Sequence, residues 1–376
     1  MKPADIRVLI VGGGIAGMTT ALALRARAAS VDLIDLDPQW RVYGAGITIT
    51  RPTMRAFREL GLLDDLLEAG FAGDGIRVCS PDGKEIYWVP DPAIDGAPLP
   101  GSGGVMRPRL HEKLSNRVRA SGAHIRLGLT VDALDDHDGK VLVTFSDKSH
   151  ARYDLVIGAD GLFSKVRSLI LPGAAEPEYT GQMVWRLYAP RPPEIDRRHF
   201  FLGGEVKVGV CPVSQTHLYL FLLETTPCRP TIPEKMLHHE LKPLMEGYGG
   251  VIGTLRDELT ARSQIVMRPL QMFVLPPPWY VGRVLLIGDA AHPTTPQLAS
   301  GAGMAVEDAI VIAQELEKVA WEVDEALRAF MERRWNRCRT VVENSLEIGR
   351  REQARRPPQE QTELVAATLP KLAEPI

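Results

Sequence analysis

The sequence predicts an α/β protein. A Rossmann-like dinucleotide-binding domain with a parallel sheet is interleaved with a mixed or antiparallel-sheet domain, and a C-terminal helical segment follows. Three observations carry this. The continuous β-branched run Arg7-Val8-Leu9-Ile10-Val11 leads into Gly12-Gly13-Gly14-Ile15-Ala16-Gly17 and then an Ala- and Leu-rich stretch. Two later apolar runs, Leu155-Val156-Ile157 and Val284-Leu285-Leu286-Ile287, each deliver a glycine-aspartate cluster at their ends. Between about residues 179 and 275, strand-like runs such as His217-Leu218-Tyr219-Leu220-Phe221-Leu222 replace that pattern.

Each element follows from its local chemistry. Arg7–Val11 suits a central parallel strand covered on both faces. Ile15 to Ala28 packs closely as a helix, and Val31-Asp32-Leu33-Ile34-Asp35 returns as a second strand, completing a βαβ unit. Met54, Phe57, Leu60, Leu63 and Leu67 keep helical spacing, so residues 52–69 form one or two helices broken near Gly61. Leu110, Leu114 and Val118 predict an amphipathic helix that stops near Gly122. Residues 123–157 turn to strands, with Asp138-Gly139 as a hairpin turn. One helical insert is expected at 233–247, and the chain from 303 to about 353 is helical. Pro357-Pro358 ends the order, leaving 354–376 as a loosely held tail.

Composition narrows the function. With 376 residues, 45% hydrophobic and 24% charged, the chain is long enough for one large domain or two interleaved ones. A net charge of −3 and a mean hydropathy of −0.07 give no basic excess for nucleic acid or an anionic membrane. Arg350-Arg351 and Arg355-Arg356 are read as a solvated helix face. Four scattered cysteines, Cys79, Cys211, Cys228 and Cys338, fit a reducing compartment and neither a disulfide framework nor structural zinc, so no metal is expected. The run Ile6 to Val11 is too short to span a bilayer. A soluble, cytoplasmic protein, monomeric or homodimeric, is expected.

The chemistry begins at Gly12-x-Gly14-x-x-Gly17, which follows a strand and opens a helix. The first glycine permits a tight turn, the second lets a pyrophosphate approach, and the third lets helix and strand pack closely. The helix N-terminus stabilises the phosphate charge, and Ile15 and Ala16 supply backbone N–H groups there. Asp35, 23 positions after Gly12, stands where a carboxylate takes ribose hydroxyls. FAD and NAD satisfy this motif equally. Gly288-Asp289-Ala290-Ala291-His292-Pro293 chooses between them, because a carboxylate at that edge suits the ribityl hydroxyls of a flavin. A helix beginning around Gly301-Ala302-Gly303 and running through Met304 would turn its positive end toward the pyrimidine edge of a flavin ring. Glu307 and Asp308 are read as simple dipole complementation in its first turn.

With these motifs in order, the chain resembles the FAD-dependent aromatic hydroxylases of the para-hydroxybenzoate hydroxylase fold, the group A flavin monooxygenases, over about residues 5–350. His292-Pro293-Thr294-Thr295-Pro296 and Gly301-Ala302-Gly303-Met304 look most like the salicylate hydroxylase and 6-hydroxynicotinate 3-monooxygenase branch. The resemblance implies a Rossmann-like FAD-binding domain from 1–71, 102–178 and 276–353, and a substrate-binding domain from 72–101 and 179–275. It implies FAD contacts by Arg107, by Arg41 and the loop through Gly46 and Ile47, by Val131, and by Asp160-Gly161. For Arg41 and Arg109 a surface role competes with a cofactor role. NADH or NADPH would reduce the FAD transiently, since there is only one glycine fingerprint. Dioxygen would then add to the reduced flavin, and the resulting flavin hydroperoxide would hydroxylate a small aromatic or heteroaromatic substrate.

The substrate side is less determined. Pro296 matches a proline whose backbone faces the substrate, and Gln297 adjoins it. Lys207, Gly209 and Cys211 share one face of a strand ending at Pro212. Several relatives carry His and Tyr where this chain has Lys207 and Cys211, which puts a simple phenol in doubt. Tyr219, His217 and Trp185 are either substrate contacts or packed sheet residues. The alternative function is an FAD-dependent reductase or halogenase on the same scaffold. The string nearest the halogenase motif, Tyr87-Trp88-Val89-Pro90, does not fit it.

Overall fold

A computed structural model describes residues 3–42, 44–91, 93–94 and 98–376. Its organising element is a six-stranded sheet in the order Tyr280–Val281, Val284–Leu286, Leu155–Gly158, Arg7–Val11, Ser30–Asp35, His124–Leu127. All neighbours run parallel except the first pair. The central strands are apolar and buried apart from Arg7, and helix Ile15–Arg25 and the antiparallel strands Lys140–Phe145 and His150–Tyr153 pack on them. Register aligns Leu286 with Gly158, Gly158 with Val11, and Val11 with Ile34. The glycine turn Gly12–Gly17, the two glycine-aspartate segments and Asp35 therefore leave four adjacent strands at one level. Ligands of open parallel sheets bind outside such carboxyl ends.

Helix Ile15–Arg25 packs on helix Gly301–Lys318, which in turn packs on the long helix Val323–Gln353. A second sheet of seven strands runs Gln264–Met272, Glu178–Pro190, His217–Thr225, Lys207–Pro212, Arg198–Phe201, Ile76–Cys79, Glu85–Val89. It is mixed, since Arg198–Phe201 and Ile76–Cys79 are parallel and the rest antiparallel. One face carries Met183, Trp185 and Leu187 and buries them against helices Leu237–Leu244 and Gly250–Asp257. The other face carries Arg186, Tyr188, Tyr219, Phe221 and Cys211 in register. A three-stranded bridge, Gly46–Ile49, Gly103–Met106 and Gly70–Ala72, lies against that second face.

Two expectations need correction. The insert holds a second helix, Gly250–Asp257, hidden in the sequence by Gly249, Gly250 and Gly253. Residues 354–376 are not a loose tail. Pro358–Ala373 is a helix, with a proline in its first turn, where the missing N–H costs nothing. It docks on Val323–Gln353: Thr368 and Leu372 are buried, Asn344 donates to Thr368 Oγ1 at 2.8 Å, and Arg55 and Arg337 donate to the carbonyls of Ala373 and Leu372.

Candidate flavin and substrate site

The glycine turn is built for close approach. Gly12 has φ +108°, and a Cβ there would stand 2.4 Å from the Ala159 carbonyl oxygen of the neighbouring motif. Gly14 is the N-cap of helix Ile15–Arg25 and offers no side-chain cap, and the space a Cβ would fill is open. The N–H groups of Ile15, Ala16 and Gly17 thus form a bare, positive helix end beside open space at Gly14. Asp35 folds back beside it, accepting from Gly13 N at 2.7 Å and from Asp37 N at 2.8 Å. Trp40 Nε1 donates to the Gly13 carbonyl at 2.9 Å, fixing the turn from the other side. Leu129 N donates to Asp35 O, bringing the segment that enters Val131 alongside the same edge.

The second motif is structural as well as positional. Asp160 accepts from Ser164 Oγ at 2.5 Å and from Val166 N at 3.0 Å, and burial pushes its carboxyl up from the ordinary range. Gly161 follows with φ +82°. Arg167, buried, donates to the carbonyls of Leu162 and Ala290 at 2.9 and 3.0 Å, tying the second motif to the third. Nothing in the sequence spacing singled out Arg167.

Asp289 differs. It is exposed to solvent and makes no hydrogen bond to a described residue, yet burial raises its carboxyl against the opposing charges of Arg107 and His292. A group that solvent reaches although protein surrounds it lines a cleft. Arg107 opens helix Arg107–Ala120 on the same cleft, its chain 3.2 Å from the Cβ position of Gly44. Gly288 packs behind, its N–H donating to Asp308 at 2.9 Å.

Helix Gly301–Lys318 has Ser300 as its N-cap with no side-chain cap bond, so Gly301, Ala302 and Gly303 form a second bare helix end, while Met304 N already donates to the Ser300 carbonyl at 2.9 Å. Pro296–Leu298 is a 3-10 turn leading to it, and the buried Thr295 Oγ1 and Gln297 Oε1 on either side of Pro296 lack partners among the described residues. Two uncapped helix ends, an open glycine turn, a free cleft carboxylate and orphaned polar atoms fit a flavin dinucleotide.

Glu307 and Asp308 are not simple first-turn dipole complements. Both are buried, in the second turn. Wholly buried Arg334 donates to Asp308 Oδ1 and Glu307 Oε2, each at 2.7 Å, and His292 Nε2 lies 2.7 Å from Asp308 Oδ2. Burial opposes a charge on His292, but Cys338 and Asp308 outweigh it and hold the imidazole well above its ordinary value. His292, Asp308 and Cys338 converge closely enough for a metal, but Asp308 is already engaged by Gly288, His292 and Arg334. The cluster is an ion-pair core.

On the substrate side, Tyr219 lies directly under Gly46, where a Cβ would meet its ring at 2.2 Å, and its hydroxyl pairs with Thr48 Oγ1 at 2.6 Å. Ile47 is buried in the same bridge strand. Cys211 is fully buried beside it, its thiol pushed up to about 12 by burial, which makes it inert. Lys207 is not a free cation: its Nζ meets Glu352 at 2.5 Å. Glu352 also accepts from Gln297, which donates to Gln182 at 3.1 Å, so helix Val323–Gln353 holds the Pro296 turn against the sheet. Trp185 faces the helices and donates to Glu224, a packed sheet residue. His217 stacks on Tyr188 at the end of the sheet. Arg41 pairs with Asp37 and Arg109 with Glu112, both at exposed positions.

Fold and site together define a flavoprotein frame facing an aromatic-lined sheet. The chain belongs to the FAD binding domain family, whose pattern matches residues 5–345. It is 32% identical over 348 residues to YetM of Bacillus subtilis, described as an FAD-dependent monooxygenase, covering 92% of this chain and 93% of that one. It is 31% identical over 340 residues to 3-amino-4-hydroxybenzoate 2-monooxygenase of Streptomyces cremeus, covering 88% and 83%. Among solved structures, HpxO of Klebsiella pneumoniae complexed with FAD and uric acid has the same fold, with a TM-score of 0.82 at 22% identity, covering 99% and 94%. The protein is an FAD-dependent monooxygenase of the aromatic hydroxylase group. No helix among the described residues is long and apolar enough to cross a membrane.

Proposed function

We propose that this enzyme uses NADH or NADPH and dioxygen to insert one oxygen atom into a small aromatic or heteroaromatic ring. The observation that carries the reading is the shared cleft: Asp289 and Arg107 on the flavin side oppose Tyr219 and Phe221 across the bridge strands. Bound FAD, once reduced, supplies the activated oxygen. The Gly12–Gly17 turn would hold the pyrophosphate, Asp35 the ribose and Asp289 the ribityl chain, while Arg107 and the end of helix Gly301–Lys318 would oppose negative charge on the flavin. Val131 and Gly161 contribute backbone.

The chain's own residues bind, orient and exclude water. Pro296, fixed through Gln297 and Glu352 and with its carbonyl accepting from Ala299 N at 3.0 Å, would face the substrate beside the flavin. Tyr219 is held neutral by burial and by Cys211, so its hydroxyl serves as a hydrogen-bonding group and not as a base. The 3-amino-4-hydroxybenzoate 2-monooxygenase relative supports an aromatic substrate. The test is a screen of NAD(P)H oxidation against hydroxybenzoates, pyridines and bicyclic aromatics, with product mass measured. Substrate-stimulated, oxygen-dependent turnover with one added oxygen is expected. Halide-dependent product, or reduction without oxygen insertion, would overturn the proposal.

A further inference from the structure

The seven-stranded sheet has two outer strands, and they differ. Gln264–Met272 is blunted by Arg268 and Pro269, a cation and a residue without an N–H, which are usual guards of a sheet edge. Glu85–Val89 closes the other side and is exposed at every position. Ile86, Tyr87, Trp88 and Val89 are 55, 44, 43 and 42% exposed, four consecutive members of the nine large apolar residues that stand out among the described residues. The inner side of this strand pairs with Ile76–Cys79, with Tyr87 opposite Val78 and Trp88 opposite Arg77. No described strand pairs with its outer side, which therefore offers a row of open N–H and carbonyl groups.

Charge does not protect this edge. Glu85 pairs with Arg77 at 3.0 Å, Arg77 reaches Asp196 at 3.7 Å, Asp196 holds Arg197 at 3.0 Å, and Lys84 lies 3.1 Å from Asp82. Those three acids and three bases cancel. Trp88 is already held in place: its Nε1 donates to the Asp74 carbonyl at 3.1 Å, and the Arg197 guanidinium lies 5.9 Å from its ring. A partner would meet a neutral, apolar strand whose largest side chain has little freedom left to lose.

We propose that Glu85–Val89 pairs with the same strand of a second copy, antiparallel about a two-fold axis at Tyr87, so that two sheets join into one. Such a self-pair sets Tyr87 against Tyr87, Ile86 against Trp88 twice, and Glu85 against Val89 twice. Aromatic–aromatic and aromatic–β-branched neighbours are the combinations that stabilise adjacent strands. The arrangement also parts the two Glu85 side chains by about 13 Å, four residues of strand, whereas a parallel in-register pair would set them face to face. A two-fold at Tyr87 suits either set of outward N–H groups, because each set is matched with itself. The apolar surface covered is on the order of 400 Å² per copy, taking about 150–250 Å² for a large side chain. That is the small end of specific interfaces, so the dimer is weak and concentration-dependent.

The test uses the FAD-loaded full chain in sedimentation velocity between about 1 and 100 μM, a range that suits a weak interface of this size. The parent should pass from monomer to dimer as concentration rises. Tyr87→Lys, which sets two like charges face to face on the axis, should stay monomeric throughout while retaining FAD. In a Cys228→Ser background, which removes the exposed native thiol, Tyr87→Cys should cross-link under mild oxidation. Val89→Cys should not, because its counterpart lies beyond the reach of a disulfide.

The inference is overturned if the parent stays monomeric at every concentration, or if a dimer persists in Tyr87→Lys. It is also overturned if Tyr87→Cys cross-links no faster than Val89→Cys, since the strands would then meet in another register or not at all. Monomers that bind phosphatidylcholine vesicles, with the binding lost in Tyr87→Lys, would assign the surface to a membrane and overturn it too. Should Tyr87→Lys not fold, the concentration series and the two cysteine variants decide alone. None of these outcomes depends on the hydroxylase reading.

Discussion

Arg334 and Arg186 are both enclosed by the fold, one behind the parallel sheet and the other on the substrate sheet. Arg334 is saturated: Asp308, Glu307 and the Met304 carbonyl take its donors. Arg186 has no partner among the described residues. The same split recurs among the carboxylates. Asp160 and Asp308 are spent on the frame, while Asp289 is left open to the cleft. Groups that hold the frame satisfy one another, and groups left unsatisfied line the place where ligands belong. An orphaned charge is therefore more informative here than a paired one.

Breaking the frame should cost most. Arg334→Met leaves two carboxylates buried without their cation, and the loss should be about 3–5 kcal/mol in chemical denaturation. An unchanged unfolding midpoint would show that the pair is not a structural core. Next comes Gly12→Ala, which combines a positive-φ backbone with a Cβ too near the Ala159 oxygen. FAD titration should show a loss of about 1–3 kcal/mol of binding.

His292 sharpens the comparison through pH. Its folded value is raised, so the contribution of its charged pair with Asp308 is complete below the ordinary imidazole value of 6.5 and fades as pH rises toward the folded value. The melting-temperature gap between the parent and His292→Gln should therefore be widest at acidic pH and narrow at alkaline pH. A gap that widens with pH would reverse the assignment.

The smaller effects belong to the rim. Lys207→Met removes a pair with Glu352 that is partly open to solvent, and should cost on the order of 1 kcal/mol in denaturation without changing FAD affinity. Arg41→Ala should leave FAD affinity within about two-fold of the parent, because its guanidinium is engaged by Asp37 at the surface. A larger loss would return Arg41 to the cofactor site.

Much of the frame was legible in the sequence, because strand runs, glycine turns and their following aspartates are local signals. Gly12 to Gly17, Asp160 and Asp289 needed no knowledge of distant contacts. The order of their strands did need it, and so did the roles of Glu307 and Asp308, which depend on an arginine 26 and 27 positions away. Arg167 reaches the third motif across 123 positions, and no period or turn signal announces such a bond. Pro357-Pro358 misled because proline is excluded from helix interiors but welcome in a first turn. Lys207 stood on the expected face, yet Glu352 arrives from a helix 145 positions later and neutralises it. Arg186 carried no signal except its place beside Trp185, since an unpaired charge is visible only once every neighbour is in place.

Turnover of the FAD-loaded enzyme under isotopically labelled dioxygen, with NAD(P)H and the most stimulating aromatic of the screen, tests the central claim most directly. The account predicts that each product molecule gains one labelled oxygen atom on the ring. Product that carries oxygen from water, or NAD(P)H consumption that yields no oxygenated ring with any aromatic, would contradict it.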